Sequence, residues 1–529
     1  MKVLTAEQMK QVDLLTTERF GIPSLQLMEN AGTRFAEFVA SRFSPVVHRN
    51  IIVLCGKGNN GGDGLVIARK LREMGAQPAV FLLARLDELR GDAATNLRRW
   101  QTEGGALRSV TSEPEWLEAQ SILNSAYIIV DALLGTGLRG PVEGLLAKVI
   151  SAVNQHSSDS VVLSVDIPSG LSSNKGEMNG PAIEADFTIT FTAPKIGQLL
   201  APASERVGRL FVESIGSPWE LIEETGDEGI RWLEPMEIRK LPRRRKAAGH
   251  KGDYGHVLVA AGSLGKAGAA VLSGWAALRV GAGLVTVATS EFALLAVASQ
   301  VPELMTALLP ATDSGGISLR ALEINRWSSL QQGKSVLAVG PGLGTHSETQ
   351  RFARTVVTGS ALPVVLDADG LNAFAGSAGE LNRRQTKLIC LTPHPGEMAR
   401  LLGCSSSDVQ ERRIEIARHA AAEWNVFVVL KGNQSVLAEP HGSVWVNSTG
   451  NPGMATAGTG DVLTGVLAGL IAQMGGARFS DALTCGVYLH GLAGDLASAE
   501  FGEAPMIASD IIHALPRALA QLSADLARF

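Results

Sequence analysis

The sequence has few cysteines and few aromatic residues, and each scarcity narrows the class of protein. Only four residues are cysteine, and none forms a C-x-x-C pair. Three of the four lie in apolar or small-residue runs, so we expect buried free thiols in a reducing compartment. Aromatic residues make up 5% of the chain, whereas 58 residues are glycine. This composition is typical of α/β enzymes with many tight strand-to-helix turns.

Long apolar runs and a strong charge of one sign are also missing. No stretch of about 18 uncharged apolar residues suggests a membrane span, and the opening MKVLTAEQMKQVD lacks the apolar segment of a secretory signal. The net charge is −5, so nothing global favours nucleic acid or an anionic membrane as a partner. We therefore expect a cytoplasmic enzyme that acts on small molecules, and we also expect it to be a homo-oligomer.

Short β-branched runs alternate with helical stretches along most of the chain. The runs are continuously apolar, as in parallel strands buried on both faces, and the β-α-β pattern predicts doubly wound sheets. In the first half the runs are Ile51–Cys55, Ala79–Leu83, Tyr127–Asp131, Val161–Asp166 and Phe187–Phe191. In the second half they are His256–Ala261, Leu284–Ala288, Ser335–Gly340, Pro363–Asp367, Leu388–Leu391 and Val426–Leu430, followed by a helix over Val462–Gln473.

The alternation of apolar runs and helical stretches is interrupted near Ile215–Gly249, where acidic, basic, proline and glycine residues mix. With 529 residues, more than one domain is expected. We predict a first domain over residues 1–217, a linker over 218–240 and a second domain over 241–520. The basic run at residues 243–246 is expected to be a solvated part of the domain entry.

The motif CGKGNNGGDG, residues 55–64, combines a dinucleotide fingerprint with a carboxylate. Gly56, Gly58 and Gly61 give G-x-G-x-x-G directly after an apolar strand, a spacing that also fits a plain tight turn. An ordinary redox site would want a carboxylate about 20 residues further on, and FLLARLDELR offers no clean candidate. Asp63 instead sits inside the motif beside two asparagines, a set of hard oxygens suited to a cation.

Two further acids follow buried runs of the first half. Asp131 ends YIIVD and Asp166 ends VVLSVD, and each precedes a turn rich in small residues. A single strand-end aspartate is more often a helix cap than a catalyst. Because the carboxyl ends of parallel strands meet at one sheet edge, where open α/β sheets bind ligands, we favour a site over caps.

Several motifs of the first half, in order across residues 1–215, closely resemble the NAD(P)H-hydrate epimerase domain, also called the YjeF N-terminal domain. They are LTAEQMKQVD, GIPSLQLMENAG, GKGNNGGDG, DALLGTGLRGP and DIPSG. The resemblance implies a Rossmann-like fold and a K⁺ ion held by Asn60, Asp131 and Ser169. It implies that the hydrates NADHX and NADPHX are held by Asn59, Asn60, Gly61, Gly62, Asp63, Gly135, Thr136, Gly137, Leu138, Arg139, Gly140, Pro141 and Asp166.

Asp166 is our candidate for the general acid or base of this domain. The hydrate carries a hydroxyl on a ring carbon next to nitrogen. That carbon can epimerise if a proton is shuttled and the hydroxyl transiently leaves, and a strand-end carboxylate suits this work.

The stretch NPGMATAGTGDVLTGVLAGL is the most informative part of the second half. Gly458, Thr459 and Gly460 precede an apolar helix, and bare amides at a helix N-terminus form an anion hole. Asp461, in the first turn, can accept a proton from a substrate hydroxyl, as phosphoryl transfer requires. The alternative, a capping aspartate after a glycine turn, ranks second because the preceding loop is long and glycine-rich.

No G-x-x-x-x-G-K-[ST] motif occurs, which disfavours a P-loop kinase. The motifs HKGDYGHVLVAAGS, GAGLVTVA, GPGLG, LDADGLN, TPHPGEMARLLG, LKGNQSV and AGTGD, across residues 240–515, resemble the ribokinase-like NAD(P)H-hydrate dehydratase. The resemblance implies that the hydrate meets Ala269, Gly342 (with Gly344 as the alternative), His394 and Asp461. It implies that the nucleotide lies against Lys431, Gly432, Asn433, Gln434, Ser435 and Gly460.

ADP is the co-substrate that the fused architecture of this family implies, and Mg²⁺ is expected between its phosphates. Asp367, Asp369 and Glu397 are available carboxylates, none of them assignable as a ligand. The whole chain is thus expected to be a bifunctional repair enzyme for damaged NADH and NADPH. One alternative is a thiazole or pyrimidine alcohol kinase with a regulatory domain. Another is a first half that only binds partners, which the presence of Asp131, Asp166 and Ser169 disfavours.

Overall fold

The computed structural model describes residues 1–156, 160–178, 180–225, 229–241, 245–323 and 326–525. The chain divides into two compact units, residues Met1–Glu228 and Gly229–Phe529. Part of the expected linker, residues 226–228, and part of the basic run, residues 243–244, lie outside the described residues.

The first unit is built on a parallel sheet whose order, within the described residues, is β3-β2-β1-β4-β5-β6-β7. Its strands are β1 (Asn50–Cys55), β2 (Gln77–Leu82), β3 (Leu107–Ser109), β4 (Ile128–Ala132), β5 (Val161–Val165), β6 (Phe187–Phe191) and β7 (Arg209–Glu213). The strand order reverses between β1 and β4, and such a switch point leaves a crevice at the carboxyl ends of the strands. The expected Rossmann-like, doubly wound sheet is confirmed.

Helices cover the sheet of the first unit. They are α1 (Ala6–Phe20), α2 (Ser24–Arg42), α3 (Asn59–Glu73), α4 (Gly91–Thr102), α5 (Glu113–Ala119), α6 (Gly144–His156), α7 (Ile196–Leu199) and α8 (Trp219–Thr225). A capping box between Thr5 and Gln8 starts α1, which satisfies amide groups that the first turn would leave unpaired. The core between β1, β4 and the helices is aliphatic, with Phe35 and Trp100 fully buried in it.

The second unit contains a larger sheet with the order β11-β10-β9-β12-β13-β14-β15-β16-β17-β8 in the described chain. Its strands are β8 (Ile230–Trp232), β9 (His256–Ala260), β10 (Leu284–Ser290), β11 (Met305–Leu309), β12 (Val336–Val339), β13 (Val364–Leu366), β14 (Ile389–Leu391), β15 (Phe427–Leu430), β16 (Val436–Ala438) and β17 (Val444–Val446). Only the β15/β16 and β16/β17 pairs of these are antiparallel. The order reverses between β9 and β12, which sets the position of a second crevice.

Helices of the second unit pack on this sheet, as expected for a ribokinase-like α/β domain. They are α9 (Ala267–Arg279), α10 (Glu291–Gln300), α11 (Arg320–Glu323), α12 (Arg326–Gln331), α13 (Ser347–Thr358), α14 (Ala368–Asn372), α15 (Pro395–Leu402), α16 (Ser406–Glu411), α17 (Arg413–Glu423), α18 (Thr459–Met474), α19 (Phe479–Phe501) and α20 (Ala508–Asp525). The central helix is α18, whose glycines Gly465 and Gly469 let it approach α9: a Cβ at Gly465 would lie 2.1 Å from Ser273 O.

The segment expected to be a linker carries secondary structure on both sides of residues 226–228. Before them, α8 buries Leu221 and Ile222 against α1. After them, β8 pairs in parallel with β17 and extends the sheet of the second unit. The functional limits 1–217, 218–240 and 241–520 stay predictions.

Searched by length and apolar composition, the described helices include none that could cross a membrane alone. One pair, Thr459–Met474 with Gly476–Phe501, passes the same test jointly although it bends by 120° at the break. The cytoplasmic location and the homo-oligomer stay predictions. The expected buried free thiols are confirmed at Cys55, Cys390 and Cys485, whereas Cys404 is exposed. The reducing compartment stays a prediction.

Candidate active sites

The glycine motif of the first unit forms the turn between β1 and α3. Gly56 has no room for a side chain, because a Cβ there would lie 1.9 Å from the carbonyl oxygen of Leu133. The helix begins at Asn59, so the expected binding loop Asn59–Asp63 is the first turn of α3. Asp63 therefore lies inside a helix, and its burial raises the pKa of its carboxyl well above the usual value.

Asn60, Asp131 and Ser169 come together at the switch point, as the resemblance implies. Asp131, at the end of β4, is fully buried and accepts hydrogen bonds from the Ser169 amide at 2.8 Å and the Ser164 hydroxyl at 2.8 Å. The Ser169 hydroxyl also donates to Asp131. Asn60 Nδ2 donates to Leu134 O at 2.9 Å, and the Leu134 amide donates to Ser169 Oγ at 2.8 Å. The backbone of Leu134 thus links Asn60 to Ser169, and Ser169 in turn is hydrogen-bonded to Asp131.

The donor chemistry of this group fits a monovalent cation. The side chains offer one carboxylate, one amide oxygen and one hydroxyl, all hard oxygens. No salt bridge to Asp131 occurs among the described residues, and burial raises the pKa of its carboxyl although hydrogen bonds from Ser169 oppose the shift. A bound cation would offset this buried charge.

The segment Gly135–Pro141, expected to hold the hydrate, follows β4 and lies next to α3. A Cβ on Gly135 would be 3.2 Å from the Cβ of Asn60. Gly137 and Arg139–Pro141 are exposed. The segment that follows β4 thus lies next to the first turn of α3 at the carboxyl edge of the sheet.

Asp166 follows β5 in a left-handed backbone conformation, with φ of 64°, that non-glycine residues adopt only at a cost. Its carboxylate accepts a hydrogen bond from Thr190 Oγ1 at 2.9 Å and pairs with the ammonium of Lys195. Lys195 is 1% exposed and also donates to Phe191 O at 3.0 Å. Gln198 Nε2 donates to the Asp166 carbonyl at 2.6 Å. Asp166 is therefore fixed in place and has a buried counter-charge.

In the second unit, the N-terminus of α18 forms the base of the candidate site. Gly458 takes a left-handed conformation, φ 90°, and no side chain caps the helix, so the first amides stay available to an anion. Asp461 lies in the first turn, where burial and the charge of Asp367 raise its pKa to about 7. His490 of α19 hydrogen-bonds Thr459 O at 3.1 Å, which anchors the turn from behind.

A cavity of about 350 Å³ opens at the switch point of the second sheet, in front of α18. Its walls come from the segments that follow β9, β12, β13 and β14, as the strand order predicts. The lining residues are Gly265, Lys266, Gly268, Ala269, Gly342, Ala368, Asp369, Asn372, Glu397 and Asp461. Of the expected hydrate contacts, the cavity thus brings together Ala269, Gly342 and Asp461. Gly344 is not in its wall, but its amide donates to Asp369 at 2.8 Å.

Lys431 lies under the anion hole and pairs with two carboxylates. Its ammonium is 2.7 Å from Asp367 and 3.7 Å from Glu397. A Cβ on Gly460 would be 3.1 Å from Lys431 Nζ. Although burial opposes the charge of Lys431, the neighbouring carboxylates raise its pKa. The rest of the expected nucleotide segment, Gly432–Ser435, is a partly exposed turn that follows β15.

His394 caps α15 rather than lining the cavity. Its Nδ1 accepts a hydrogen bond from the Gly396 amide at 3.0 Å, and its own amide donates to Glu397 at 2.8 Å. About half of its side chain is exposed, and Nε2 lies 3.6 Å from Glu397 Oε1. His394 therefore contacts Glu397, which lines the cavity, but does not line the cavity itself. Its contact with the hydrate stays a prediction.

Sequence analysis missed two lysines. Lys195 and Lys266 each follow a buried strand of their sheet, β6 and β9, and each reaches an acid far along the chain. Lys266 Nζ is 3.1 Å from Asp369. The rule that drew attention to the strand-end aspartates applies equally to strand-end lysines, and it would have found both.

Comparison with known proteins agrees with the family resemblance of both halves of the chain. Residues 24–197 match the family described as YjeF-related protein N-terminus, and residues 257–517 match that of NAD(P)H-hydrate dehydratase. A bifunctional NAD(P)H-hydrate repair enzyme of Moorella thermoacetica is 44% identical, covering 99% of this chain and 98% of its own. That of Escherichia coli is 34% identical, covering 97% and 93%.

A solved structure is also similar to the second unit. The ADP/ATP-dependent NAD(P)H-hydrate dehydratase of Bacillus subtilis, co-crystallised with ATP/Mg²⁺, is 32% identical, with a TM-score of 0.46, and covers 55% of this chain and 98% of its own. The two family matches lie in the order that the motifs indicated, and the curated relatives match along nearly the whole chain. The chain therefore belongs to the family of bifunctional NAD(P)H-hydrate repair enzymes.

Proposed function

We propose that the first domain interconverts the R and S forms of NADHX and NADPHX, and that the second dehydrates the S form with ADP, releasing AMP and phosphate. The observation that carries the proposal is the cavity in front of α18. Asp461 lines this cavity, and its pKa of about 7 suits a general base at neutral pH. The uncapped amides of the α18 N-terminus and the ammonium of Lys431 lie next to Asp461.

In the first domain, we assign the hydrate to the crevice formed by the first turn of α3, Gly135–Pro141 and Asp166. Asp166 holds or moves the proton on the hydroxyl of the hydrate, and Lys195 fixes its orientation and balances its charge. Asn60, Asp131 and Ser169 would hold K⁺. When bound, this ion supplies positive charge beside the nucleotide and fixes the first turn of α3 against β4.

In the second domain, the reaction is a phosphoryl transfer followed by an elimination. Asp461 accepts the proton of the hydrate hydroxyl while the terminal phosphoryl group of ADP is transferred to its oxygen. The amides of Gly458–Gly460, with Lys431 beneath them, stabilise the charge that develops on the phosphoryl oxygens. Phosphate is a better leaving group than hydroxide. Its departure, together with loss of a proton from the adjacent ring carbon to water, restores the nicotinamide double bond.

The carboxylates in and beside the cavity differ in whether they face it. Asp367 is committed, because it accepts hydrogen bonds from Lys431 and Thr464, each at 2.7 Å, and from the Ala368 amide at 2.8 Å. Asp369 and Glu397 line the cavity and would hold Mg²⁺. Within the described residues, no cluster of three or more acidic, His or Cys side chains fits a metal, and Mg²⁺ commonly takes its further oxygens from substrate phosphates and water. Mg²⁺ would neutralise phosphate charge.

The test is incubation of racemic hydrate with ADP and Mg²⁺, following the absorbance of reduced nicotinamide. Complete conversion at an enzymatic rate is expected. A parallel panel offers thiazole and pyrimidine alcohols with the same nucleotides. Phosphorylation of those alcohols without any dehydration of the hydrate would replace the proposal with a small-molecule kinase.

A further inference from the structure

A third carboxyl group, that of Asp13, is near enough to the Asp166–Lys195 ion pair for both charges to act on it. Asp13 is on α1, next to the buried positions Val12 and Thr16, so it is on the face of α1 turned toward the unit. The start of α1 is tied to the turn that carries Lys195. There, the Leu4 amide donates to Pro194 O at 2.9 Å, and Leu4 forms a β-bridge with Lys195.

Asp13 has an unused acceptor in this cluster. Its Oδ1 is buried and accepts no hydrogen bond from any described residue. The charges of Lys195 and Asp166 act on the carboxyl of Asp13, and all three charges act on the carboxyl of Asp63 in α3. The cluster therefore contains three carboxyl groups and one ammonium, which is already bonded to Asp166.

Because the cluster has only one ammonium, its carboxyls differ in whether they have a counter-ion. Asp166 has its counter-ion in Lys195. Asp13 forms no ion pair with any residue that the structure describes, and its burial raises the pKa of its carboxyl to about 6. Two acids held in different environments form the arrangement that general acid–base catalysis uses, since one can donate a proton while the other accepts one.

We infer that Asp13 is a second catalytic carboxyl of the epimerase domain, the proton donor that works with Asp166. The inference rests on the proposed epimerisation and adds a residue to it. The protonated Asp13 donates to the hydroxyl oxygen of the hydrate as the bond from that oxygen to the ring carbon breaks. The lone pair of the adjacent ring nitrogen forms a carbon–nitrogen double bond, and water is released.

The return step balances the first. Water adds to the other face of the ring carbon, a new carbon–oxygen bond forms, and the electron pair returns to the ring nitrogen. Asp166 accepts the proton that the water loses. A proton passing from Asp166 back to Asp13, directly or through water, restores both groups. No net oxidation occurs and no co-reactant is consumed.

The test measures epimerisation by the full chain without ADP, so that the second domain does not consume the S form. The ratio of R to S hydrate is followed by chromatography between about pH 5 and pH 8, with the uncatalysed rate subtracted. Since Asp13 must be protonated to donate, kcat/KM of the native chain should fall as pH rises above about 6, the pKa of Asp13.

Asp13→Asn should lower the rate by about a hundredfold or more and should abolish that fall with pH. Glu18→Gln is the matched control, since Glu18 is an exposed carboxyl on the same helix, and it should leave both unchanged. If Asp13→Asn does not fold, Asp13→Glu tests the inference instead. The pH at the midpoint of the fall in kcat/KM should move, because the longer side chain places the carboxyl in a new environment. The dehydratase activity on S hydrate monitors folding in every variant.

Three results would overturn the inference. One is an Asp13→Asn enzyme that retains the pH dependence at any rate. Another is an Asp13→Glu enzyme whose midpoint is unmoved. The third is loss of the pH dependence in Asp63→Asn together with its retention in Asp13→Asn, which would make Asp63 the donor. If the native chain does not epimerise above background, the proposed function of the domain fails instead.

Discussion

The ammonium of Lys431 lies 2.7 Å from the carboxylate of Asp367, and Asp367 is only 1% exposed. Thr464 of α18 donates to the other oxygen of the same carboxylate at 2.7 Å. This pair connects β13, β15 and α18 directly beneath the anion hole. Its charges therefore contribute to both the stability of the second unit and the chemistry above it.

Lys431→Met should destabilise the second unit, because it leaves the Asp367 carboxylate buried without a counter-ion. Breaking one partner out of a buried pair costs about 3–5 kcal/mol. The control is Lys266→Met, which breaks the half-exposed pair with Asp369 and should cost about 1 kcal/mol or less. Urea denaturation measures both. Equal free energies of unfolding in the two variants would contradict the buried role of Lys431.

The rate of ADP-dependent dehydration should rise with pH and level off above neutrality. Asp461 must be ionised to accept a proton, and burial has raised its pKa to about 7, so the active form is lost as pH falls through that value. Lys431 lowers the pKa of Asp461. Lys431→Met should therefore move the midpoint to higher pH in single-turnover measurements. An unchanged midpoint would show that Lys431 does not influence the pKa of Asp461.

Asp461→Asn should abolish dehydration while epimerisation continues, because this carboxylate belongs to the second unit alone. Loss of a general base costs about 10² to 10⁴ in rate. Absorbance of reduced nicotinamide reports dehydration, and chromatography of the two hydrates without ADP reports epimerisation. Turnover close to that of the native chain would remove Asp461 from the mechanism.

Both sheets were predictable from their central strands, which are short, β-branched and continuously apolar. The strands that sequence analysis did not find lie toward the sheet edges. β3 reads Leu-Arg-Ser and β7 reads Arg-Leu-Phe-Val-Glu. A strand near an edge meets solvent, so its sequence can carry charge and lacks the apolar run that marks a central strand.

The candidate sites were predictable where a residue follows a strand within a distinctive motif. Asp131 and Asp166 belong to this group, whereas Asp461 was indicated by a glycine motif before an apolar helix. Lys195 and Asp13 could not be connected from the sequence, because 182 positions separate them (195 − 13) and only folding brings α1 beside the turn after β6. The first turn of α3 was expected as a loop, because its glycines obscure the helical periodicity.

Asp166→Asn should stop epimerisation and leave dehydration intact. With racemic hydrate and excess ADP, the S half should be consumed at the native rate, and the R half should then follow only the uncatalysed interconversion. Thr190→Val is a useful companion, since it removes one hydrogen bond to Asp166 but keeps the carboxylate, and it should slow the second phase only partly. Rapid and complete conversion by Asp166→Asn would show that this carboxylate is dispensable.

Epimerisation should depend on which monovalent cation is present. Asn60 and Ser169 contribute neutral oxygens and Asp131 one charge, so the site should favour a large, weakly hydrated ion such as K⁺ over Mg²⁺, which gives up its water reluctantly. The assay uses the full chain without ADP, in potassium, sodium and choline buffers of equal ionic strength.

Asp131→Asn keeps the shape of the side chain but removes the charge, and it should weaken activation by K⁺ at least about tenfold. Ser164→Ala is the control, because Ser164 hydrogen-bonds Asp131 at 2.8 Å without being an expected ligand. It should retain the potassium requirement. Equal rates and hydrate affinities in all three buffers would leave Asp131 as a structural carboxylate that positions Ser169, with no cation between them.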